Sequence, residues 1–235
     1  MMIGRGFEDV NVKMPDDTFD ASSHEPTFNV YLTAVVRDSE GKIIKVHRQR
    51  SHSPTANFIA LFLPLSYFTN NNVSATITNV SGSTYSFSQA LGDNGISIPY
   101  PNTNFPGNAP SYFLMIEVGS GQRSNPYSAY SLAAPISNGS GAGQLAYQSA
   151  TLPSTIILKG NTAYFYITQT YNNISGGTVT ITEVGIIVYL TLVNYTNRTA
   201  YNIGNTLIWY DVLSSPISVP NAGSVTIYYA FVVNP

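Results

Sequence analysis

Four acidic residues follow residue 52, and any acid–base chemistry in that long part of the chain would need them: Asp93, Glu117, Glu183 and Asp211. Hydrolysis of a glycosidic bond requires two carboxyl groups about 5 to 9.5 Å apart. A pair among the four is geometrically conceivable in a β-sandwich. No second acidic residue lies close to Glu183 in the sequence to complete a site, so the sequence predicts a protein that is not an enzyme.

Glu183 interrupts a strand pattern. Val179 and Ile181 alternate with threonines, and Glu183 would continue on their apolar side, yet the apolar residues from Val184 onward have the opposite parity. Burial of an unpaired carboxylate is costly, whereas a bulge needs one extra residue and is eased by glycine. We therefore predict a structural bulge at Glu183, Val184 and Gly185. Glu183 then either accepts backbone N–H groups that hold the bend, which we favour, or acts as a catalytic acid or cation ligand.

The chain also contains six N-x-S/T sequons, in which an asparagine could accept an N-linked glycan. Several would arise by chance in a sequence rich in Asn, Ser and Thr. If they are used, the protein faces outward in a host that N-glycosylates. The six candidate positions are Asn72, Asn79, Asn138, Asn173, Asn194 and Asn197.

Neither histidine nor serine shows the spacing of a reactive site. His24, His47 and His52 lack the i, i+4 spacing of a helical zinc site, so we expect surface or capping histidines. Ser53 precedes Pro54 and suits a helix N-cap better than a nucleophile, because no G-x-S-x-G elbow surrounds any serine. Cysteine is absent, which excludes disulfides and thiolate ligands. We predict no metal and no cofactor.

Composition excludes further classes of function. Only 9% of residues are charged, and most of these lie in the first 52 positions, so the remaining surface must consist of neutral polar residues and tyrosine. Nucleic-acid binding needs clustered Lys and Arg, which the bulk of the chain lacks. No apolar run is long enough to span a bilayer, and the first residues lack the apolar region of a signal peptide.

The periodicity predicts an all-β protein, an antiparallel β-sandwich or jelly roll with one short helix near residues 54–63. Two hairpins are expected, one over residues 28–50 and one that turns at Ser81–Ser83. Residues 119–150 read as a long irregular loop. Further strands are predicted at residues 112–118, 155–158, 163–171, 178–193, 206–213 and 225–233.

The chain divides into two parts on this basis. Residues 1–26 are polar and charged with little periodicity, and we predict an extended N-terminal arm that is either a loose terminus or a segment that reaches a neighbouring subunit. Residues 27–235 are predicted to form the sandwich, either as one jelly-roll-like domain or as two packed sandwiches with a long loop at residues 119–150.

Several motifs occur in a recognisable order. An N-x-S-G turn leads into a strand with E-V-G at Asn173–Gly185, L-I-W-Y-D-V-L-S-S-P-I-S-V-P follows at Leu207–Pro220, and V-T-I-Y-Y-A-F closes the series at Val225–Phe231. With the hairpin and helix of Arg37–Phe62, they resemble the structural proteins of tailed phages and archaeal viruses. The resemblance implies a β-sandwich on the virion surface or tail, whose C-terminal strand closes a sheet.

We therefore expect a non-enzymatic virion structural protein, a capsid, turret, spike or tail surface subunit. It would self-assemble as a homo-oligomer, contact other virion proteins through its arm and attach to a host-surface glycan. The alternative is a cell-surface filament or adhesin subunit that uses donor-strand exchange. A third is a carbohydrate-binding module, because exposed tyrosines can stack on sugars.

Overall fold

A computed structural model describes residues 27–51, 53–62, 73–89, 94–97, 114–152, 155–194 and 199–234. The predicted arm at residues 1–26 therefore lies outside the described residues. The elements are β1 (Thr27–Arg37), β2 (Ile43–Ser51), α1 (Ala56–Phe62), β3 (Val73–Thr78), β4 (Thr84–Gln89), β5 (Asn94–Ser97), β6 (Leu114–Gly119), β7 (Ala146–Tyr147), β8 (Ile157–Lys159), β9 (Thr162–Asn172), β10 (Val179–Asn194), β11 (Thr199–Val219) and β12 (Ser224–Asn234).

Two antiparallel sheets pack face to face, which confirms the predicted all-β sandwich. Sheet A has the order β2-β1-β12-β9-β7, and β8 also pairs with β9. Sheet B has β11 beside β10, and both β5 and β6 pair with the other side of β10. The strands β3 and β4 form a separate hairpin. The last strand, β12, lies between β1 and β9 in the middle of sheet A.

The main core is built from alternate residues of both sheets. Leu32 of β1 and Tyr229 of β12 meet Ile186 of β10 and Trp209 of β11 in one cluster of buried side chains. Trp209, the only tryptophan, contacts Phe58 of α1 edge to face, with ring centroids 5.1 Å apart. It also lies 5.9 Å from the Phe231 ring of sheet A, so both sheets and the helix meet at this side chain.

Side chains from sheet A close the outer edge of β6 in sheet B. Gln169 accepts a hydrogen bond from the Ile116 N–H at 2.7 Å, and the Tyr171 hydroxyl donates to the Ile116 carbonyl at 2.6 Å. Further along, the Val118 carbonyl accepts from the Ile136 N–H at 2.9 Å. These bonds occupy backbone groups that an incoming strand would otherwise use.

The segment between β6 and β7 covers the outer face of sheet B. Ala129 and Leu132 pack with Ile187, Leu207 and Tyr210 in a second apolar cluster. Both faces of β10 are therefore buried over this stretch, which explains why its apolar residues run on without alternation.

The helix begins two residues later than expected. Thr55 is its N-cap, since the Thr55 hydroxyl accepts from the Phe58 N–H at 3.4 Å. The prediction of Ser53 as N-cap is wrong, because residues 53–55 continue along the edge of β11: the Ser53 carbonyl accepts from the Tyr210 N–H, and the Thr55 N–H donates to Ile208. In the described part of the chain, no helix has the length and apolar character needed to cross a membrane.

Candidate functional site

The candidate carboxylates lie in different surroundings. Glu183 and Glu117 are on neighbouring strands of sheet B, where Glu183 pairs with Gly119 and Glu117 pairs with Gly185. Asp211 lies on β11 and is buried toward the core. Asp93 is outside the described residues. The structure therefore brings Glu117 and Glu183 close together, although they are far apart in the sequence.

Glu183 is fully buried, and donors occupy both of its carboxylate oxygens. The Ala134 and Gly121 N–H groups donate to Oε1 at 2.7 and 3.1 Å. Oε2 accepts from the Ala133 N–H at 2.9 Å and from the Tyr210 hydroxyl at 2.7 Å. Such charge-assisted bonds are the strong kind. This geometry matches the structural interpretation of Glu183, and it leaves neither oxygen directed at a ligand.

The loop can surround the carboxylate only because its residues are small. A Cβ on Gly119 would overlap Glu183 Oε1 and the Ala134 carbonyl oxygen. A Cβ on Gly121 would lie 2.7 Å from the Ala133 Cβ and 3.0 Å from Glu183 Oε1. The small residues on either side of the loop, Gly119 and Gly121 on one side and Ala133 and Ala134 on the other, are thus required by one buried carboxylate. They were visible in the sequence, but nothing there linked them to a residue fifty positions away.

The register shift lies before Glu183, not over Glu183, Val184 and Gly185 as predicted. Ile181 pairs with Ile217 and Glu183 already pairs with Val212, while Val184 and Gly185 continue in regular pairing. Four residues of β11, 213–216, lie opposite the single residue Thr182 of β10, so the three additional residues belong to the partner strand β11. They end at Pro216, which has no N–H to give to the ladder. Ile181 and Val184 both belong to the main core, so the strand changes its inward side between them.

The titration of Glu117 is perturbed by its surroundings. Burial, and to a lesser degree the neighbouring Glu183 carboxylate, raises the pKa of Glu117 to about 7. In an unfolded chain, the pKa of a glutamate is about 4.3. The folded protein therefore binds a proton that the unfolded chain has released between these two values, and the folded state loses stability as the pH rises through that window.

We expect the free energy of unfolding to fall by about 2 kcal/mol between pH 5 and pH 8 because of Glu117, a figure discounted for its partial exposure. The substitution Glu117→Gln keeps the size of the side chain and removes the ionisation. Urea unfolding across this pH range should show the loss in the wild type and a flatter profile in E117Q, with E117Q the more stable at pH 8.

The matched control is Glu40→Gln, which removes a carboxylate from the exposed β1–β2 turn. E40Q should retain the pH dependence of the wild type. Parallel profiles for the wild type and E117Q would contradict the assignment to Glu117.

Asp211 is committed to a buried network that joins the two sheets. Its Oδ2 accepts from the Ser51 hydroxyl at 2.5 Å and from the Tyr229 hydroxyl at 2.9 Å. The Trp209 indole N–H donates to the same Ser51 hydroxyl oxygen. The carboxylate, the serine and the two aromatic side chains are all buried, so this group orders the core.

The histidine prediction needs one correction. His47 is buried instead of lying at the surface: its Nε2 is 3.0 Å from Gln49 Oε1 and its Nδ1 is 3.2 Å from the Ser215 hydroxyl. It is buried because β2 lies beside the residues that bulge out of β11. His24 and His52 are outside the described residues. Among the described residues, no three side chains of His, Asp or Glu come together as a metal-binding group.

Two sequon asparagines build the same turn. Asn79 and Asn173 each accept at Oδ1 from the serine two positions on, through its N–H at 3.1 Å and its hydroxyl at 2.7 Å. A glycine with positive φ follows in both, Gly82 at 85° and Gly176 at 84°. The N-x-S-G sequence is therefore one kind of turn used twice, once within the β3–β4 hairpin and once between β9 of sheet A and β10 of sheet B.

The amide nitrogens of both asparagines are already used. Asn79 Nδ2 donates to the Ile203 carbonyl at 2.9 Å, and Asn173 Nδ2 donates to the Gly177 and Val219 carbonyls, each at 2.8 Å. A glycan attached through that nitrogen would replace one of its two hydrogens, and on Asn173 it would break one of these two bonds. We therefore expect both asparagines to be unmodified in the folded protein. Asn138 is exposed, and its Oδ1 accepts from the Tyr147 N–H.

The three remaining sequons carry no structural description. Asn72 and Asn197 lie outside the described residues, and only the backbone of Asn194, at the end of β10, is described.

The outer side of sheet A carries aromatic and basic side chains. We call it the tyrosine–arginine face and define it by Tyr31, Tyr164, Tyr166, Tyr228, Arg48 and Arg50. The four tyrosines alternate along their strands with residues of the core, and Arg48 and Arg50 alternate with the buried His47 and Ser51, so all six point away from the core. Tyr164 and Tyr166 lie 5.4 Å apart between ring centroids, and Tyr31 pairs directly with Arg50.

No protein family, curated protein or solved structure matches this chain. The resemblance to structural proteins of tailed phages and archaeal viruses therefore rests on the sequence motifs alone.

Proposed function

We propose that this protein is a non-enzymatic structural subunit of a virion surface, a capsid, turret, spike or tail component, and that it acts by self-assembly. One observation carries the self-assembly: an apolar row at one end of sheet A. Leu158, Ala163, Val233 and Phe28 pair in sequence across four strands. Leu158 is 77% exposed, Val233 45% and Phe28 53%. Exposed apolar rows of this kind are typical of contacts between subunits.

The buried polar groups give a second reason. Glu183, Asp211 and Asn173 are inside the protein, where they form hydrogen bonds with backbone groups and neighbouring side chains. These residues hold the strands and loops together. A structural subunit requires this, because its function depends on keeping its shape. The virion setting comes from the sequence motifs, and the apolar row supports the assembly part of the proposal.

The alternative, a filament or adhesin subunit, has one feature in its favour. All three residues of β8, a short strand at the edge of sheet A, are exposed. An exposed edge strand can accept a strand from a neighbouring molecule. The outer edge of β6 offers no such place, because Gln169 and Tyr171 already bond to it.

Sedimentation velocity and negative-stain electron microscopy of the full chain, over a wide range of protein concentrations, test the proposal. We expect closed oligomers that become more populated with concentration. Leu158→Asp should weaken the association about tenfold or more, because it places a charge in the apolar row. Ile174→Asp is the matched control, since Ile174 is 56% exposed in the β9–β10 turn, away from the row.

The possible outcomes are distinct. Open filaments would favour the alternative over the closed assembly. A chain that stays monomeric at every concentration, or L158D and I174D behaving alike, would overturn the role given to the apolar row.

A further inference from the structure

We propose that the tyrosine–arginine face binds residues 1–26 of a second copy of this chain. The inference rests on the proposed self-assembly and names one contact that would drive it. The face lies on the opposite side of sheet A from the core-facing apolar row, so the two surfaces can be tested separately.

The face has the chemistry of a surface that receives an acidic peptide. Arg48 and Arg50 are exposed on β2, at one margin of the sheet. The four tyrosines extend from β1 across β12 to β9, so a peptide would meet cations first and then flat aromatic rings. Tyr and Arg are the residues that interfaces enrich, because they offer large contact area together with hydrogen bonds.

The described carboxylates all lie elsewhere. Asp38 and Glu40 belong to the β1–β2 turn, whereas Glu117, Glu183 and Asp211 belong to sheet B. The face is thus basic in its described part.

The segment before β1 has the opposite charge. Residues 1–26 contain six acidic residues and two basic residues, whereas residues 27–235 contain six acidic and eight basic residues. The segment is therefore at −4 and the remainder at +2. Three of its acidic residues, Asp16, Asp17 and Asp20, are close together in the sequence. Phe19 lies between Asp17 and Asp20 in the sequence, and a phenylalanine side chain can pack on tyrosine rings. Complementary charge of this kind steers association and sets its register.

The place where the segment joins the sandwich favours a second copy over the same copy. β1 begins at Thr27, at the end of the sheet where Tyr31 and Arg50 pair. Pro26 precedes it, and a residue before proline is biased toward extended backbone. A segment that covers the face of its own copy has to reverse direction at Thr27, whereas one that keeps the direction of β1 leaves the sheet and can reach a second copy. Twenty-six extended residues span up to about 85 Å, ample for reaching a neighbour.

Complementary charge reversals in the full chain test this contact. One variant carries Arg48→Glu and Arg50→Glu, and the other carries Asp16→Lys, Asp17→Lys and Asp20→Lys. In sedimentation velocity at low salt, each variant alone should self-associate at least about tenfold more weakly than the wild type, because like charges then meet. An equimolar mixture of the two should regain the association, since each segment again meets a face of opposite charge.

Lys42→Glu supplies the control for charge, because Lys42 lies in the exposed β1–β2 turn and not on the face. K42E should associate like the wild type. Added salt should weaken the wild type and the mixture alike.

Each remaining outcome overturns the proposal in a recognisable way. Variants that each stay monomeric, with no association in their mixture, would mean that the substitutions do not act through pairing of the segment with the face of a second copy. Undiminished association of both variants would mean that the copies assemble through another surface, and the proposed self-assembly would stand without this contact. A wild type that is monomeric at every concentration would overturn both the proposed self-assembly and this contact.

Discussion

Replacing Glu183 with alanine is expected to lower the free energy of unfolding by about 3–5 kcal/mol. The carboxylate holds the N–H groups of Gly121, Ala133 and Ala134 and the hydroxyl of Tyr210. Its removal leaves these donors without their acceptor under the loop and opens a cavity beside β10. Urea unfolding of E183A measures the loss.

Two milder variants keep the test informative if E183A does not fold. Tyr210→Phe removes one of the four bonds to Glu183, and the bond that the Tyr210 hydroxyl accepts from the Arg123 N–H, so we expect a loss of about 1–2 kcal/mol. Glu183→Gln keeps the shape but turns one accepting oxygen into a donor, and it should fall between Y210F and E183A. A loss below about 1 kcal/mol in E183A would contradict the anchoring role.

Replacing Asn173 with aspartate is expected to cost about 3–5 kcal/mol, although only one atom changes. Asn173 is fully buried, and its Nδ2 donates to the Gly177 and Val219 carbonyls. In the aspartate, a second oxygen would face those two carbonyl oxygens, and a buried negative charge would replace two hydrogen bonds. Thermal and urea unfolding of N173D should both show the loss.

Asn138→Asp is the matched control, since Asn138 also begins an N-x-S-G sequence but is exposed. Aspartate keeps the oxygen that accepts from the Tyr147 N–H, so N138D should lose less than about 1 kcal/mol. Mass spectrometry of the native protein should find Asn79 and Asn173 unmodified. A glycan on either asparagine, or equal stability of N173D and N138D, would contradict the assignment of these turns.

Local periodicity predicted much of the fold. Alternation along residues 28–36, 163–171 and 225–233 placed β1, β9 and β12, because one side of each of these strands faces the core. The strand β2 followed instead from the turn after Arg37, since its apolar residues Ile44 and Val46 are exposed. The helix was found but its cap was not, because the choice between Ser53 and Thr55 depends on the pairing of residues 53–55 with β11. Local sequence carries no information on that partner.

The candidate site was harder to predict, because its parts are distant in the sequence. The parity change beside Glu183 correctly drew attention to the strand, but the additional residues are in β11, which no pattern in β10 could reveal. The proximity of Glu117 follows from the β6–β10 register. The sequons at Asn79 and Asn173 looked like modification sites because N-x-S is shared by glycan acceptors and by turns in which the asparagine side chain binds the serine.

Trp209 provides an intrinsic fluorescence probe of unfolding. As the single tryptophan, it gives one emission signal, and that signal comes from the point where β11, the Phe58 ring of α1 and the Phe231 ring of sheet A converge. Its indole N–H donates to Ser51, the residue that also donates to Asp211. A shift of the emission toward longer wavelength therefore marks the moment when water reaches the junction of the two sheets, before or together with the loss of strand signal in circular dichroism.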